Sequence, residues 1–243
     1  MLRQSSPRLD CVLAIPCFRE SERLPIFLED LANRVAASSR HIHLQLIEDG
    51  SGEEERTKIV ELAKEIGDKY RLPISTHILA DNRGKGFAIR HGWINAPDST
   101  LLGFADADGA APANEVMEVL GKALETPDEL TIGSRYLGRA KPKRKMSRRL
   151  FSLGFRLLFK VFYRIDCSDT QCGLKFVPSS FFKDRYWEFH QNRWGFDLEL
   201  ILRAANLGVP IREISIQWTE SPGSKVRIGN VMPLIRDMMT DRL

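Results

Sequence analysis

Asp106 and Asp108 stand one residue apart in Phe104-Ala105-Asp106-Ala107-Asp108-Gly109, directly after an apolar run. Two carboxylates at this spacing offer hard oxygen ligands of the kind that hold Mg²⁺ or Mn²⁺ against a diphosphate. A lone Asp-x-Asp is more often a solvated turn, but this one follows an expected strand and precedes a helix opened by Pro112. Glu20 and Asp49, the latter in Asp49-Gly50-Ser51, also follow apolar runs. Such acids can accept from a ribose hydroxyl or a base N–H, although each alone is commonly a cap or turn residue. In Asn82-Arg83-Gly84-Lys85-Gly86 the glycines let backbone N–H groups approach a phosphate, and Lys85 sits where a helix begins. This is not a P-loop, and no G-x-G-x-x-G follows the first strand, so a dinucleotide cofactor has no support.

The charges are unevenly spread. The 243 residues carry 36 Lys+Arg against 32 Asp+Glu, a net of +4. Eight of the basic residues (Arg135, Arg139, Lys141, Lys143, Arg144, Lys145, Arg148 and Arg149) lie in one stretch that holds no acid. Setting those eight aside leaves 28 basic residues against 32 acidic, so the basicity is local and points to one anionic partner surface. The ten apolar or aromatic residues of Leu150–Tyr163 follow directly, and two readings stay open for them: an amphipathic interfacial helix or a core helix. A nucleic-acid patch fits less well, because the aromatics are packed at helical density rather than interleaved with glycine. The four cysteines lack paired C-x-x-C spacing, which favours reduced packing residues, and the five histidines show no ligand spacing. No signal peptide or membrane-spanning run is read in the chain, and 43% hydrophobic with 28% charged residues excludes a disordered or fibrous protein.

Elements that could position these groups alternate regularly. Strands are predicted at Cys11–Ile15, His41–Glu48, Pro73–Leu79, Thr100–Ala105 and Glu129–Ser134, with helices at Ser21–Ala37, Glu53–Gly67, Lys85–Ala96 and Pro112–Glu125 between them. Ser21 is read as able to cap the first helix. This order predicts an α/β fold with a mostly parallel central sheet and helices on both faces, its ligands bound outside the carboxyl ends of the strands. After residue 135 a strand at Gly173–Val177, a helix at Phe196–Leu207 ended by Gly208, a strand at Pro210–Trp218 and a short amphipathic tail at Gly229–Met239 are expected.

Six motifs occur in one order: Pro16-Cys17-Phe18-Arg19-Glu20, Glu48-Asp49-Gly50-Ser51, Asn82-Arg83-Gly84-Lys85-Gly86, Asp106-Ala107-Asp108, Gly133-Ser134-Arg135-Tyr136 and Asp169-Thr170-Gln171-Cys172-Gly173. Over roughly Cys11 to Trp218 this order resembles family 2 glycosyltransferases of the GT-A fold, specifically the dolichyl- and polyprenyl-phosphate hexosyltransferases. The Asp-Thr-Gln-Cys-Gly form is most similar to the dolichyl-phosphate β-glucosyltransferase branch. The resemblance implies a nucleotide-sugar donor, UDP-glucose foremost, and inversion at the anomeric carbon. It places Pro16, Glu20, Asp49, Asn82 and Lys85, with Gly50, Gly84, Gly86, Asp106 and Ala107, at the nucleotide-sugar pocket. It places Asp106 and Asp108 on Mg²⁺ or Mn²⁺, Ser134 and Arg135 opposite the acceptor phosphate, and Asp169 near the reacting centre. The sequence also departs from the pattern. Ala110 stands where the mannosyl-transferring branch often has Gln, which weakens a GDP-mannose assignment, and Phe18-Arg19 replaces an aromatic-Asn pair.

A polyprenyl phosphate is mostly dianionic at neutral pH, with a second pKa of about 6, so its oxygen is already a nucleophile. The task left to the protein is to bring that anion beside an anionic diphosphate. Arg135, Arg148 and Arg149 are the candidates to hold the acceptor phosphate, because Arg clamps phosphate bidentately. Asp169 and Asp197, in Phe196-Asp197-Leu198-Glu199, compete for an orienting or weak-base role. Asp197 is equally an ordinary first-turn residue, and Trp194 is a candidate wall of the sugar pocket. The chain is expected to form one catalytic domain over 1–243: a nucleotide-sugar half at 11–135, a basic and aromatic membrane-facing segment at 136–165, and an acceptor half with the tail at 166–243. It is expected on the cytoplasmic side, peripherally bound to an anionic membrane. Three rivals remain: a family 2 enzyme with a hydroxyl acceptor, a GDP-mannose-using polyprenyl-phosphate mannosyltransferase, and a catalytically dead membrane-docking protein with this fold.

Overall fold

The computed structural model describes residues 8–137 and 167–219. Arg139 through Arg149, the helix expected at Leu150–Tyr163 and the tail expected at Gly229–Met239 fall outside the described residues. Among the described residues, seven strands form one sheet: β1 Leu9–Cys17, β2 Ile42–Asp49, β3 Ile74–Leu79, β4 Ser99–Ala105, β5 Leu130–Ser134, β6 Leu174–Pro178 and β7 Ile211–Ser215. Six α-helices accompany them: α1 Leu24–Ala36, α2 Glu53–Tyr70, α3 Lys85–Ile94, α4 Ala113–Glu125, α5 Ser179–Lys183 and α6 Phe196–Asn206.

The strand order is β3-β2-β1-β4-β6-β5-β7. β1, β2, β3 and β4 run parallel, β6 is antiparallel to β4 and to β5, and β5 is parallel to β7. Hence β4 and β5 point the same way, and their carboxyl ends share an edge with those of β1, β2 and β3. The sequence shows only that 174–178 is extended. A short strand carries no sign in the sequence that it inserts antiparallel between β4 and β5.

Residues of β1, β2 and β4 are buried almost without interruption, so they read as continuous apolar runs rather than alternating ones, whereas the edge strand β3 buries only Leu79 fully. β1 runs past Pro16, which sits beside Ile47 of β2. Its pairing with β4 ends at Ala14, so the proline lies beyond the ladder that a missing N–H would break on that side. α1 starts later than Ser21. No side chain caps it, Pro25 occupies its first turn, and Ser21 instead donates from Oγ to Glu55 Oε1 at 2.7 Å. Leu24, Phe27, Leu28, Leu31, Ala32 and Val35 form its buried stripe. Beside α3 and α6, Trp93, Phe104, Phe182, Phe189 and Phe196 meet at ring separations of 5.1–6.5 Å.

Arg19, exposed just after β1, holds φ at +55° and donates its N–H to Ser51 Oγ at 2.9 Å. A side chain in the left-handed region carries a cost of about 1–2 kcal/mol that Asn tolerates better. Arg19→Asn is therefore expected to raise the melting temperature by about 2–4 °C, the shift for roughly 1 kcal/mol in a domain of this size. A melting point equal to or below that of the parent protein would contradict strain at this turn.

Candidate functional site

The motifs that follow β1, β2, β3, β4 and β5, and the one that precedes β6, meet along one rim of the sheet. Chain direction divides there: β1 leads to β2 on one side and pairs with β4 on the other, which is where open α/β sheets form a ligand crevice.

On the β2–β3 side, Asp49 is almost wholly buried and organises the next motif. Its Oδ1 accepts from the Arg83 N–H at 2.8 Å, and its Oδ2 accepts from the Gly84 N–H at 2.8 Å and from Asn82 Nδ2 at 3.0 Å. Burial pushes the Asp49 carboxyl above its ordinary value despite those bonds. With these three N–H groups the carboxylate shapes the Asn82–Gly84 turn. Gly84 has φ +97°, and a Cβ there would stand 2.5 Å from the Asn192 carbonyl oxygen. The turn therefore closes only with glycine. Gly50 and Gly86 lie in the same loops, at the entrance to α2 and in the first turn of α3. Glu20 pairs with Arg23.

Behind the acid pair, four charges alternate. Lys175 Nζ lies 2.5 Å from Asp197 Oδ1, and Asp197 Oδ2 lies 3.2 Å from Lys85 Nζ. Lys85 Nζ then lies 2.9 Å from Asp106 Oδ1. The Lys85 ammonium also stands 4.8 Å from the Phe104 ring centre and 5.5 Å from that of Trp194. Burial alone would depress Lys85, but Asp106 and Asp197 outweigh it and raise its pKa above the ordinary value. Burial would raise Asp197, but Lys175 and Lys85 overcome it and hold the carboxyl below its usual range. Asp106 goes the other way, raised by burial in spite of Lys85.

Asp106 keeps 27% of its side-chain surface open and Asp108 22%, so both reach the crevice. Ala107 between them is buried. Arg23 Nη1 lies 3.7 Å from Asp108 Oδ2 and is buried without a hydrogen-bond partner. Ala110 is buried, and its carbonyl accepts from the Thr219 N–H at 2.9 Å, so it supplies no side-chain ligand. No cluster of three or more His, Cys, Asp or Glu suited to a metal occurs among the described residues. A pair of carboxylates does suit Mg²⁺ or Mn²⁺ that takes its remaining oxygens from water and a substrate diphosphate.

Asp106 is also held by its neighbour: its N–H donates to the Gly173 carbonyl at 3.0 Å. A Cβ on Gly173 would come within 1.8 Å of Asp106 Oδ2. Gly173→Ala is expected to displace this carboxylate and lower turnover roughly a hundredfold, the scale of a 1 Å misplacement in an active site. Steady-state kinetics would check this, and a loss below threefold would show that the carboxylate does not need its observed place.

On the β5–β6 side, Arg135 forks onto Asp169. Nε and Nη2 donate to Oδ2 and Oδ1 at 2.7 and 2.6 Å, and the Arg135 backbone N–H donates to Oδ2 at 2.9 Å. Burial would lower the Arg135 pKa, but Asp169 raises it above its ordinary value. The guanidinium carbon stands 4.8 Å from the centre of the Trp218 ring. Glu213 of β7 locks this segment by accepting from the Ser168 N–H and Oγ and from the Asp169 N–H at 2.6–3.0 Å. Ser134 Oγ lies 3.0 Å from Ser168 Oγ. Arg148 and Arg149 lie outside the described residues. All four cysteines are buried and free, and burial pushes Cys167 and Cys172 up to about 12, as suits packing residues.

Sequence reasoning did not single out Lys175, Arg23 or Glu213. Lys175 had a usable signal, since a lysine midway through the apolar strand Gly-Leu-Lys-Phe-Val must find a buried counter-charge. Arg23 and Glu213 had none, because only the fold brings them to Asp108 and Asp169.

Residues 12–186 match the family model described as glycosyl transferase family 2. A dolichyl-phosphate beta-glucosyltransferase of Drosophila melanogaster is 33% identical, over 92% of this chain and 71% of that protein. One of Mus musculus is 31% identical, over 98% of this chain and 76% of that protein. Among solved structures, mannosyl-3-phosphoglycerate synthase from Rubrobacter xylanophilus superposes with a TM-score of 0.66 at 12% identity, covering 95% of this chain and 73% of that one. Glucosyl-3-phosphoglycerate synthase from Mycobacterium tuberculosis, crystallised with Mn²⁺ and uridine diphosphate, gives 0.62 at 10% identity, covering 95% of this chain and 77% of that one. These structural likenesses concern the fold, which is the GT-A architecture expected from the sequence.

Proposed function

The chain belongs to glycosyl transferase family 2, and from that membership we propose that it transfers glucose from UDP-glucose to dolichyl or another polyprenyl phosphate. A phosphate oxygen of the acceptor forms the new bond to the anomeric carbon, the bond from that carbon to the diphosphate breaks, and uridine diphosphate leaves with the electron pair. The names carried by the relatives support the glucose and the lipid phosphate.

The observation that carries the choice of acceptor is the state of the two candidate bases. Asp197 is 1% exposed and bound by two ammonium groups, and Asp169 is 2% exposed in a bidentate pair with Arg135. A hydroxyl acceptor requires a base that can take its proton, whereas a phosphate dianion does not. Both carboxylates are thus committed to cations, Asp169 to Arg135 and Asp197 to Lys175 and Lys85, rather than placed to serve as bases. Arg135, with Ser134 nearby and Arg148 and Arg149 from the basic segment, holds the acceptor phosphate.

On the donor side, Asp106 and Asp108 would hold Mg²⁺ or Mn²⁺, which would supply positive charge to the departing diphosphate. Lys85 adds a fixed ammonium beside them, while Pro16, Glu20, Asn82 and the loops at Gly50, Gly84 and Gly86 line the nucleotide-sugar pocket. The seven-stranded sheet serves as one catalytic domain, and the basic segment within 136–165 docks it peripherally on an anionic, cytoplasm-facing membrane, where each cation contributes on the order of 1 kcal/mol. No helix among the described residues is long and apolar enough to cross a membrane.

The test is to incubate the protein with UDP-glucose, GDP-mannose and other nucleotide sugars, Mg²⁺ or Mn²⁺, and a short polyprenyl phosphate, and to weigh the lipid product. A hexose ester formed from UDP-glucose and suppressed by a chelator is the expected result. Transfer to hydroxyl acceptors alone, or no release of uridine diphosphate with any lipid phosphate, would overturn it.

A further inference from the structure

Lys175 lies in the middle of β6 with none of its side chain exposed, so it touches neither donor nor acceptor. A buried lysine is costly unless paired, and here the pairing is complete: Nζ lies 2.5 Å from Asp197 Oδ1 and donates to the Cys172 carbonyl at 2.7 Å. Asp197 turns its second oxygen to Lys85, and Lys85 in turn reaches the more open Asp106. Lys85 is therefore shared between an inner and an outer carboxylate, with the shorter contact to the outer one. It can be shared only because Asp197 already has a cation of its own. Both ammonium groups also stand near the same Phe104 ring, at 4.8 and 5.4 Å from its centre.

We propose that Lys175 is a positioning residue that acts through Asp197 to keep the Lys85 ammonium at the mouth of the crevice, where it meets the donor diphosphate. Take away the Lys175 charge, and Lys85 becomes the counter-ion that Asp197 has left within reach. The ammonium is then drawn inward, away from Asp106 and the donor. This inference rests on the donor assignment made above. It makes the β6 lysine part of donor affinity, although it is remote from the ligand.

The probe is uridine diphosphate with Mn²⁺, its binding measured by calorimetry on the full chain. Lys175→Met is expected to weaken binding roughly tenfold, the scale of one lost charge-assisted hydrogen bond, with the acceptor KM unchanged. Lys175→Met/Asp197→Asn removes the inner carboxylate as well, releases Lys85, and should return binding to within about threefold of the parent, a non-additivity expected of coupled neighbours. A packing role for Lys175 would show no such rescue. Should Lys175→Met fail to fold, Lys175→Gln keeps a donor for Asp197 and the Cys172 carbonyl without the charge, and the same criteria apply. Parent-like binding in the folded single variant, or a double variant no better than the single one, overturns the inference alone. A parent protein that binds no uridine diphosphate overturns the donor assignment and this inference with it.

Discussion

Asp106→Asn is expected to lower turnover roughly a thousandfold, since it removes both the charge proposed to bind the metal and the outer partner of Lys85, where the proposed reaction develops leaving-group charge. The substitution keeps the side chain's size and hydrogen-bonding reach, so the loss isolates charge. Burial already raises the Asp106 carboxyl above its ordinary value, which means that the fold holds its ionised form at a cost. The neutral variant should therefore fold at least as well as the parent. Lys85 keeps Asp197 as a partner at 3.2 Å, so no cation is left stranded. Turnover, circular dichroism and Mn²⁺ titration together check the prediction. A folded Asp106→Asn protein that retains a tenth of the parental rate, or binds Mn²⁺ unchanged, would remove Asp106 from the donor site. Asp108→Asn should lose metal affinity similarly, but leave the Lys85 contacts intact.

The second large effect is on stability. Arg135→Met should destabilise the protein by about 3–5 kcal/mol, because it leaves the Asp169 carboxylate buried without its cation. Asp169 is 2% exposed, and apart from Arg135 it has little to replace the two side-chain bonds it loses. Arg135→Lys keeps the charge and loses the fork, so an intermediate loss is expected. Arg135→Met/Asp169→Asn removes both charges and should recover much of the stability while recovering none of the acceptor affinity. Denaturant unfolding of the four proteins, with acceptor KM measured alongside, separates the structural part of Arg135 from the phosphate-binding part proposed for it. A single variant within 1 kcal/mol of the parent would show that the pair does not hold this rim together.

How much of this was legible in the sequence depended on distance along the chain. Asp106 and Asp108 could be placed because an apolar run ends immediately before them and Pro112 opens a helix soon after. Gly84 and Lys85 could be placed because the turn between β3 and α3 is local, and its φ of +97° restricts the residue there. The fold class followed from the same short-range signals, since buried parallel strands are continuous apolar runs separated by helical spacing. The boundaries were less legible. α2 runs three residues past Gly67, and α1 begins after Ser21, whose hydroxyl serves Glu55 on another helix.

The chain order of acids, glycines and basic residues determined which chemistry was available: carboxylates after strands, a lysine at a helix start, and an arginine after β5. Tertiary structure alone decided how those charges are spent. Asp169 meets Arg135 across 34 residues, and Lys85 meets Asp197 across 112. No periodicity or spacing rule extends that far. Only the placement of β6, antiparallel between β4 and β5, brings Lys175 beneath Asp197 and Gly173 against Asp106. The reason is physical: helical and strand propensities act over a few neighbours, whereas a buried charge is stabilised by whichever opposite charge packing places within about 3 Å.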